Sequence, residues 1–198
     1  MKNLRYYIDA FSNLHVANVK GYKAPHKAVL LLAIIDMIED RKIDSPQIHL
    51  TEELEVTFGK VWNRYVGNSP VFIPDISKPF FHMQHEPFWW LEEKMSGTRM
   101  VANDEPFNPS GKSKKELFAP IDKSKKELPR GSYSVSAMRQ AFAYAEIDFS
   151  LYNILQNSDA RAMLRVVLIN NYLTNQPTKT HPDVNALMLL FPFLAVVA

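Results

Sequence analysis

One run of the sequence constrains the fold more than any other, because it is apolar on every face of a helix. It reads Val29-Leu30-Leu31-Leu32-Ala33-Ile34-Ile35. Pro25 stands a few residues before it, where a proline suits the first turn of a helix. A helix that is apolar all round is normally buried all round. We therefore predict a helix that begins near Pro25 and forms the central spine of the domain.

Four other segments carry apolar residues at helical spacing. We predict a first helix over 4–19, a third over 51–66 and two closing helices over 136–147 and 158–173, the last with Ser158 as its N-cap. The apolar stripe of the third helix consists of Leu54, Phe58, Val61, Trp62 and Tyr65. This stripe assigns the indole of Trp62 to the core.

The pattern changes between residues 71 and 94, where prolines punctuate short aromatic runs. Two short strands are predicted from Phe80-Phe81-His82-Met83 and Phe88-Trp89-Trp90-Leu91. Residues 102–132 are rich in Lys, Ser, Pro and Gly, which predicts a long loop. The fold class expected is α+β and mainly helical: about five or six helices around a buried central helix, with a small antiparallel β-hairpin or sheet and a long basic loop. One domain is expected over 1–175, followed by an apolar tail over 176–198.

Composition excludes several kinds of catalytic centre. The chain has no cysteine and only six glycines, which removes disulfides and thiolate sites and argues against a phosphate-binding glycine loop. No G-x-S-x-G elbow is present. The segment from His82 to Glu86 is not the H-E-x-x-H signature, and on a strand His82 and His85 would point to opposite faces. We therefore expect no catalytic residue, no cofactor and no metal; an acid–base site around His82, His85 and Glu86 is the least supported alternative.

Hydropathy bears on localisation. The N-terminal residues lack the apolar core of a signal peptide, and no segment reaches the roughly 18 apolar residues of a membrane span. The absence of cysteine fits a reducing compartment. A cytoplasmic location without membrane contact is expected.

Charge is distributed unevenly along the chain, although the formal net charge is only +2. Within the long loop, residues 112–130 hold three acidic residues and seven cations, which are Lys112, Lys114, Lys115, Lys123, Lys125, Lys126 and Arg130. We call residues 112–130 the basic arm. Lysine-rich segments gain affinity for phosphates by releasing counterions. The arm therefore predicts contact with a polyanion, and the alternative is an ordinary solvated linker.

Three segments carry a resemblance to a known family. They are Ala24-Pro25-His26-Lys27 leading into Val29-Leu30-Leu31-Leu32, Lys78-Pro79-Phe80-Phe81-His82-Met83-Gln84 followed by Phe88-Trp89-Trp90-Leu91, and Asp159-Ala160-Arg161-Ala162-Met163-Leu164-Arg165. Over roughly residues 5–173 the chain resembles the sulfur-binding domain of McrA-type HNH restriction endonucleases, which recognise phosphorothioate-modified DNA. The resemblance implies that Lys78, Pro79 and His82 form the wall of a sulfur pocket and that His26 and Lys27 contact phosphates.

Two pocket positions depart from the family pattern, because Lys78 replaces an aromatic residue and His82 replaces a small one. Either change is expected to fill or polarise the pocket. No His-Asn-His cluster follows, so cleavage is expected from a partner nuclease or a missing C-terminal region. The function expected is a recognition module that binds double-stranded DNA, plain or phosphorothioate-modified. The alternative is a protein-interaction or oligomerisation domain, including a homodimer, that uses the aromatic edge at Phe88, Trp89 and Trp90 or the apolar tail.

Overall fold

The computed structural model describes residues 2–94 and 133–177. The basic arm, and the apolar tail beyond Pro177, lie outside the described residues. The elements in chain order are α1 (Leu4–Ser12), β1 (Asn18–Val19), β2 (Tyr22–Lys23), α2 (His26–Glu39), β3 (Gln47–Ile48), α3 (Glu52–Tyr65), α4 (Ser77–His82), a 3₁₀ turn (Met83–His85), β4 (Trp89–Glu93), α5 (Val135–Ala141), β5 (Phe142–Ile147), α6 (Phe149–Ile154) and α7 (Ser158–Tyr172). The fold is α+β and mainly helical, as expected. No helix within these two ranges is long and apolar enough to cross a bilayer.

Helix α2 is the spine of the domain, as predicted. Every residue from Lys27 to Ile35 is buried, and α2 packs against α3, α4 and α7. Two arginines of α7 join that helix to the last turns of α2: Arg165 lies 2.7 Å from Asp36 and 2.6 Å from Glu39, and Arg161 lies 3.3 Å from Glu39. The Asp159–Arg165 motif therefore holds two helices together in this fold.

Helices α3 and α7 begin where side-chain caps satisfy their first N–H groups. The hydroxyl of Thr51 accepts a hydrogen bond from the Leu54 N–H at 3.2 Å, and the Asn157 side chain accepts one from the Ala160 N–H at 2.9 Å. The N-cap of α7 is thus Asn157, one residue before the predicted Ser158. In α3 the predicted apolar stripe faces the core, and Trp62 is 1% exposed.

A three-stranded antiparallel sheet lies beside the helices in the order β3-β5-β4. Trp89 of β4 pairs with Ile147 of β5, and Ile48 of β3 pairs with Ala145. The strand predicted from the second aromatic run is therefore confirmed as β4. A separate two-stranded hairpin joins β1 to β2. Its turn contains Gly21 at φ +84°, a conformation that glycine adopts without steric cost.

The strand predicted from Phe80 to Met83 is wrong, because these residues belong to α4 and the 3₁₀ turn. Pro79 lies in the first turn of α4, where a helix needs no N–H from it. The carboxylate of Asp75 accepts hydrogen bonds from the N–H and hydroxyl of Ser77, at 2.9 and 2.5 Å, which satisfies that turn. Phe80 and Phe81 are then buried on the helix face that meets the core.

Two predicted helices have different bounds in the structure. The first ends at Ser12 rather than residue 19, and the chain then forms the β1–β2 hairpin. Residues 136–147 divide into α5 and β5, and α6 was not predicted. The segment from Phe142 to Ile147 is a strand because it pairs with β3 on one side and with β4 on the other.

Candidate nucleic-acid interface

His26 opens α2 and is held by contacts within the protein. Its Nε2 donates a hydrogen bond to the carbonyl oxygen of Ile73 at 2.9 Å. The ring packs against Trp62 and Phe72, with centroid distances of 4.9 and 5.8 Å. Burial lowers the pKa of His26, against a smaller upward effect of the bond to Ile73. The phosphate contact that the resemblance implies for His26 stays a prediction. In the structure, the ring of His26 is held between α3 and the segment 70–75.

Lys27 is buried in an ion pair. Its Nζ lies 2.5 Å from Oε1 of Glu86, and the two side chains are 7% and 1% exposed. Burial lowers the pKa of Lys27, and the hydrogen bond and charge of Glu86 oppose that effect. Glu86 also accepts a hydrogen bond from the His15 N–H at 3.0 Å, and its Oε2 lies 3.2 Å from Nδ1 of His15. A phosphate contact by Lys27 would therefore have to disrupt a buried pair.

Helix α4 places the three predicted pocket residues in different environments. Pro79 is buried in the first turn of α4 and does not border a strand, as the strand predicted from Phe80 to Met83 would have required. Lys78 points outward: its side chain is 62% exposed and its Nζ lies 3.6 Å from Asp75. His82, the last residue of α4, is partly exposed. Of this group, Lys78 and His82 are the residues that a ligand can reach.

The ring of His82 lies between two other rings. His85 is nearly parallel to it, at a centroid distance of 6.0 Å and an interplanar angle of 15°, and Tyr133 is tilted by 31° at 5.3 Å. The expectation that His82 and His85 would point to opposite faces is therefore wrong, because the chain is helical here. Among residues 2–94 and 133–177, no three potential metal-ligating side chains are grouped as a site would need.

We call Lys78, His82, His85 and Tyr133 the His82 patch. Burial lowers the pKa of His82, and the positive charges of His85, Lys27 and Lys78 lower it further, in that order. The imidazole therefore occupies a position of positive potential. In the sequence, the basic arm precedes Tyr133 directly.

Sequence reasoning missed Tyr133 and the pairing of Glu86. The sequence signal for Tyr133 is that it is the first aromatic residue after the arm. Lys27 and Glu86 are 59 positions apart, and nothing local links them. The aromatic edge of the alternative hypothesis is largely internal, since Phe88 and Trp89 are fully buried.

No model of a known protein family matches the chain, and no curated protein matches it. Function is therefore inferred from the geometry of the His82 patch and from the short sequence motifs.

Proposed function

We propose that the chain is a DNA-recognition module of a modification-dependent restriction system, and that the His82 patch holds the DNA backbone without cleaving it. One observation carries the proposal: α4 brings the exposed ammonium of Lys78 and the partly exposed ring of His82, which stacks on His85, to one surface. A partly exposed imidazole beside such groups attracts an anion, and the binding of an anion raises its pKa and adds a charged donor.

Two carboxylates limit this positive potential. Glu86 offsets part of the charge of Lys27, and Asp75 lies 3.6 Å from the ammonium of Lys78. Because Lys78 and Asp75 form an exposed pair, the pair contributes little and can exchange for a phosphate contact. Lys78 and His82 are therefore the direct contacts in this proposal, and Lys27 acts through its charge.

The basic arm contributes to affinity for the same DNA in this proposal. Its seven cations precede Tyr133, which contacts the rings of His82 and Phe81. Lysine contacts to phosphates position a protein on DNA and carry no sequence information themselves. The arm would thus add affinity that falls steeply with salt.

Sulfur recognition needs a different state of the patch. A phosphorothioate sulfur is larger and less well hydrated than oxygen, so a reader needs an apolar depression beside its cationic groups. Pro79 is buried and the ring of His82 stands at the position where the family has a small residue. We propose that this chain binds ordinary phosphate and that the imidazole obstructs the sulfur pocket. Any cleavage is assigned to a nuclease partner or to another part of a longer protein.

A titration of plain and phosphorothioate duplexes at two salt concentrations tests the proposal. Fluorescence anisotropy should show binding that weakens steeply with salt. His82→Ala should weaken binding to plain duplex and raise the preference for phosphorothioate duplex. The matched control is Lys60→Ala, which removes an exposed lysine of α3. Equal affinities of wild type and His82→Ala for both duplexes would contradict the assignment of the patch.

The interaction-domain alternative predicts a different result in the same experiment. The interaction-domain alternative would be favoured if the chain dimerised with increasing concentration and had no affinity for either duplex. Sedimentation at several protein concentrations supplies that measurement.

A further inference from the structure

A second cationic cleft lies beside the sheet. It is formed where β3, β5 and α5 meet the end of β4, and its volume is about 190 Å³. The residues that line it include His49, Phe80, Lys94, Arg139, Phe142 and Tyr144. At roughly 30 Å³ per water molecule, the cleft has room for about six waters or for one small anion with part of its hydration shell.

Two hydrogen bonds shape this cleft. The β3–β5 ladder ends at Ile48, and the ring of His49 continues it by donating from Nδ1 to the Ala143 carbonyl oxygen at 3.2 Å. On the other side, the Lys94 N–H donates to the Ala141 carbonyl oxygen at 2.9 Å, which follows a register shift between Glu92 and Glu93. The cleft is thus a built feature of the sheet edge.

The guanidinium of Arg139 is oriented before any ligand binds. Its Nε donates to the carbonyl oxygen of Leu50 at 2.7 Å, and one terminal nitrogen pairs with Glu55. A guanidinium has five N–H donors in a fixed plane, so donors remain beyond these two contacts. An arginine held in this way loses little side-chain entropy when it forms a further bond.

The lining of the cleft is polar and cationic, although the carboxylates of Glu92 and Glu146 act on the phenol of Tyr144. Lys94 adds a second positive charge to the lining, whereas Glu55 is engaged by Arg139 and does not line the cleft. Burial raises the pKa of Tyr144, and the charges of Glu92 and Glu146 raise it further. The phenol therefore keeps its proton at neutral pH and can donate a hydrogen bond. Phe80 and Phe142 supply an apolar wall.

We infer that this cleft is a binding site for a phosphate group, held by Arg139 and Lys94 with the hydroxyl of Tyr144. The planar donors of a guanidinium match two oxygens of a phosphate, and a lysine adds a point charge. The inference does not depend on the His82 patch, because none of the four patch residues lines the cleft. The phosphate can be a free ion or part of a nucleotide, and the partly exposed ring of Tyr144 would contact the remainder of a nucleotide.

The test is an NMR titration of the folded chain with inorganic phosphate, against chloride at matched ionic strength. The expected result is a saturable shift of the backbone signals of Ala143 and Tyr144 and of the ring of His49. Lys94→Ala should weaken this binding about two- to fivefold, the scale of one exposed charge contact. Lys60→Ala should bind phosphate as the wild type does. Arg139→Lys keeps the charge but loses the planar donors, so it should also bind more weakly.

Deoxyadenosine 5′-monophosphate in a parallel titration distinguishes the two sources. Equal affinity for both probes assigns the site to the phosphate group alone, and tighter binding of the nucleotide with a shift of the Tyr144 ring assigns it to a nucleotide. Shifts that do not saturate, shifts confined to the His82 patch, or unchanged binding by Lys94→Ala would each overturn the inference. Saturable phosphate shifts at Ala143 and Tyr144 in a chain that has no affinity for duplex would support this site and contradict the proposed function.

Discussion

Helices α2 and α4 pack against each other, and each carries a lysine as its second residue. The side chain of Lys27 is 7% exposed and lies 2.5 Å from Glu86, whereas that of Lys78 is 62% exposed and lies 3.6 Å from Asp75. The resemblance gave Lys27 a phosphate contact and placed Lys78 in the wall of the sulfur pocket. The two lysines differ in their surroundings. Lys27 links the spine helix α2 to the segment before β4 through Glu86, whereas the ammonium of Lys78 is accessible to a ligand.

The difference follows from the cost of burying charge. A charge that leaves water must be paired and hydrogen-bonded, and the pair then fixes the position of both side chains. Glu86 meets this need for Lys27 and also accepts the N–H of His15. An exposed pair such as Lys78 with Asp75 is screened by water and exchanges partners readily. Burial therefore decides which lysine is structural and which is available to DNA.

The largest expected effect comes from removing one member of the buried pair. Lys27→Ala leaves the buried carboxylate of Glu86 without its ammonium partner and with only its contacts to His15, which should cost roughly 3–5 kcal/mol of unfolding free energy. Lys78→Ala should change the same quantity by less than about 0.5 kcal/mol. Urea denaturation at neutral pH, monitored by tryptophan fluorescence, measures both values.

A double substitution controls for the loss of packing. Lys27→Met combined with Glu86→Leu replaces the pair by apolar side chains of similar size and should recover most of the lost stability. If Lys27→Ala were as stable as Lys78→Ala, the buried pair would not be a stabilising feature and Lys27 would again be a candidate for direct phosphate contact.

Trp62 of α3 packs against the start of α2, so its replacement tests whether this end of α2 is buried. The indole is 1% exposed, packs under the ring of His26 and donates from Nε1 to the Gly67 carbonyl oxygen at 3.2 Å. Trp62→Ala should lower the free energy of unfolding by about 3–5 kcal/mol, the usual cost of such a cavity. The measurement is the thermal or urea midpoint, and an unchanged midpoint would show that this face of α3 does not form the core.

Elements with one strong periodic signal could be predicted from the sequence. The apolar run of α2 and the stripe of α3 each specify a buried face, and the structure buries both. The aromatic run at β4 was predicted as a strand from its aromatic composition and the prolines around it. Segments compatible with two periods were not predicted correctly. Their tertiary contacts determined the structure that formed. Residues 80–83 are helical where they pack against α2, and residues 142–147 form the central strand between β3 and β4.

The candidate site was predictable only in part. Lys78 and His82 were named from motifs, and the structure brings both to the surface of α4. The partner of Lys27 lies 59 residues along the chain, and local spacing holds no information about such a pair. The cleft around Arg139 depends on where the β3–β5 ladder ends, which the sequence does not reveal.

A smaller effect is expected from Lys78, and it concerns binding rather than stability. Lys78→Ala should weaken binding to plain duplex by roughly tenfold, the lower end for a charge-assisted hydrogen bond. It should also reduce the slope of log affinity against log salt by about 0.9, the loss of one phosphate contact. Anisotropy titrations at several salt concentrations measure both quantities. The control is Lys60→Ala, and a loss of affinity shared equally by both variants would indicate only a change in net charge.

The smallest expected effect is a pH dependence of DNA binding that arises from His82. Burial, together with the charges of His85, Lys27 and Lys78, lowers the pKa of His82 below its ordinary value of 6.5 in the free protein. A phosphate beside the ring stabilises the imidazolium, so the pKa is higher in the complex and binding takes up a proton. Affinity should therefore fall as pH rises between the lowered pKa of the free protein and the pKa of the complex. His82→Gln should abolish this dependence, because glutamine does not titrate, whereas Lys60→Ala should retain it. The pKa of His26 is also lowered. If the pH dependence persisted in His82→Gln, His26 at the start of α2 would be the group that takes up the proton. DNA would then contact α2 rather than α4.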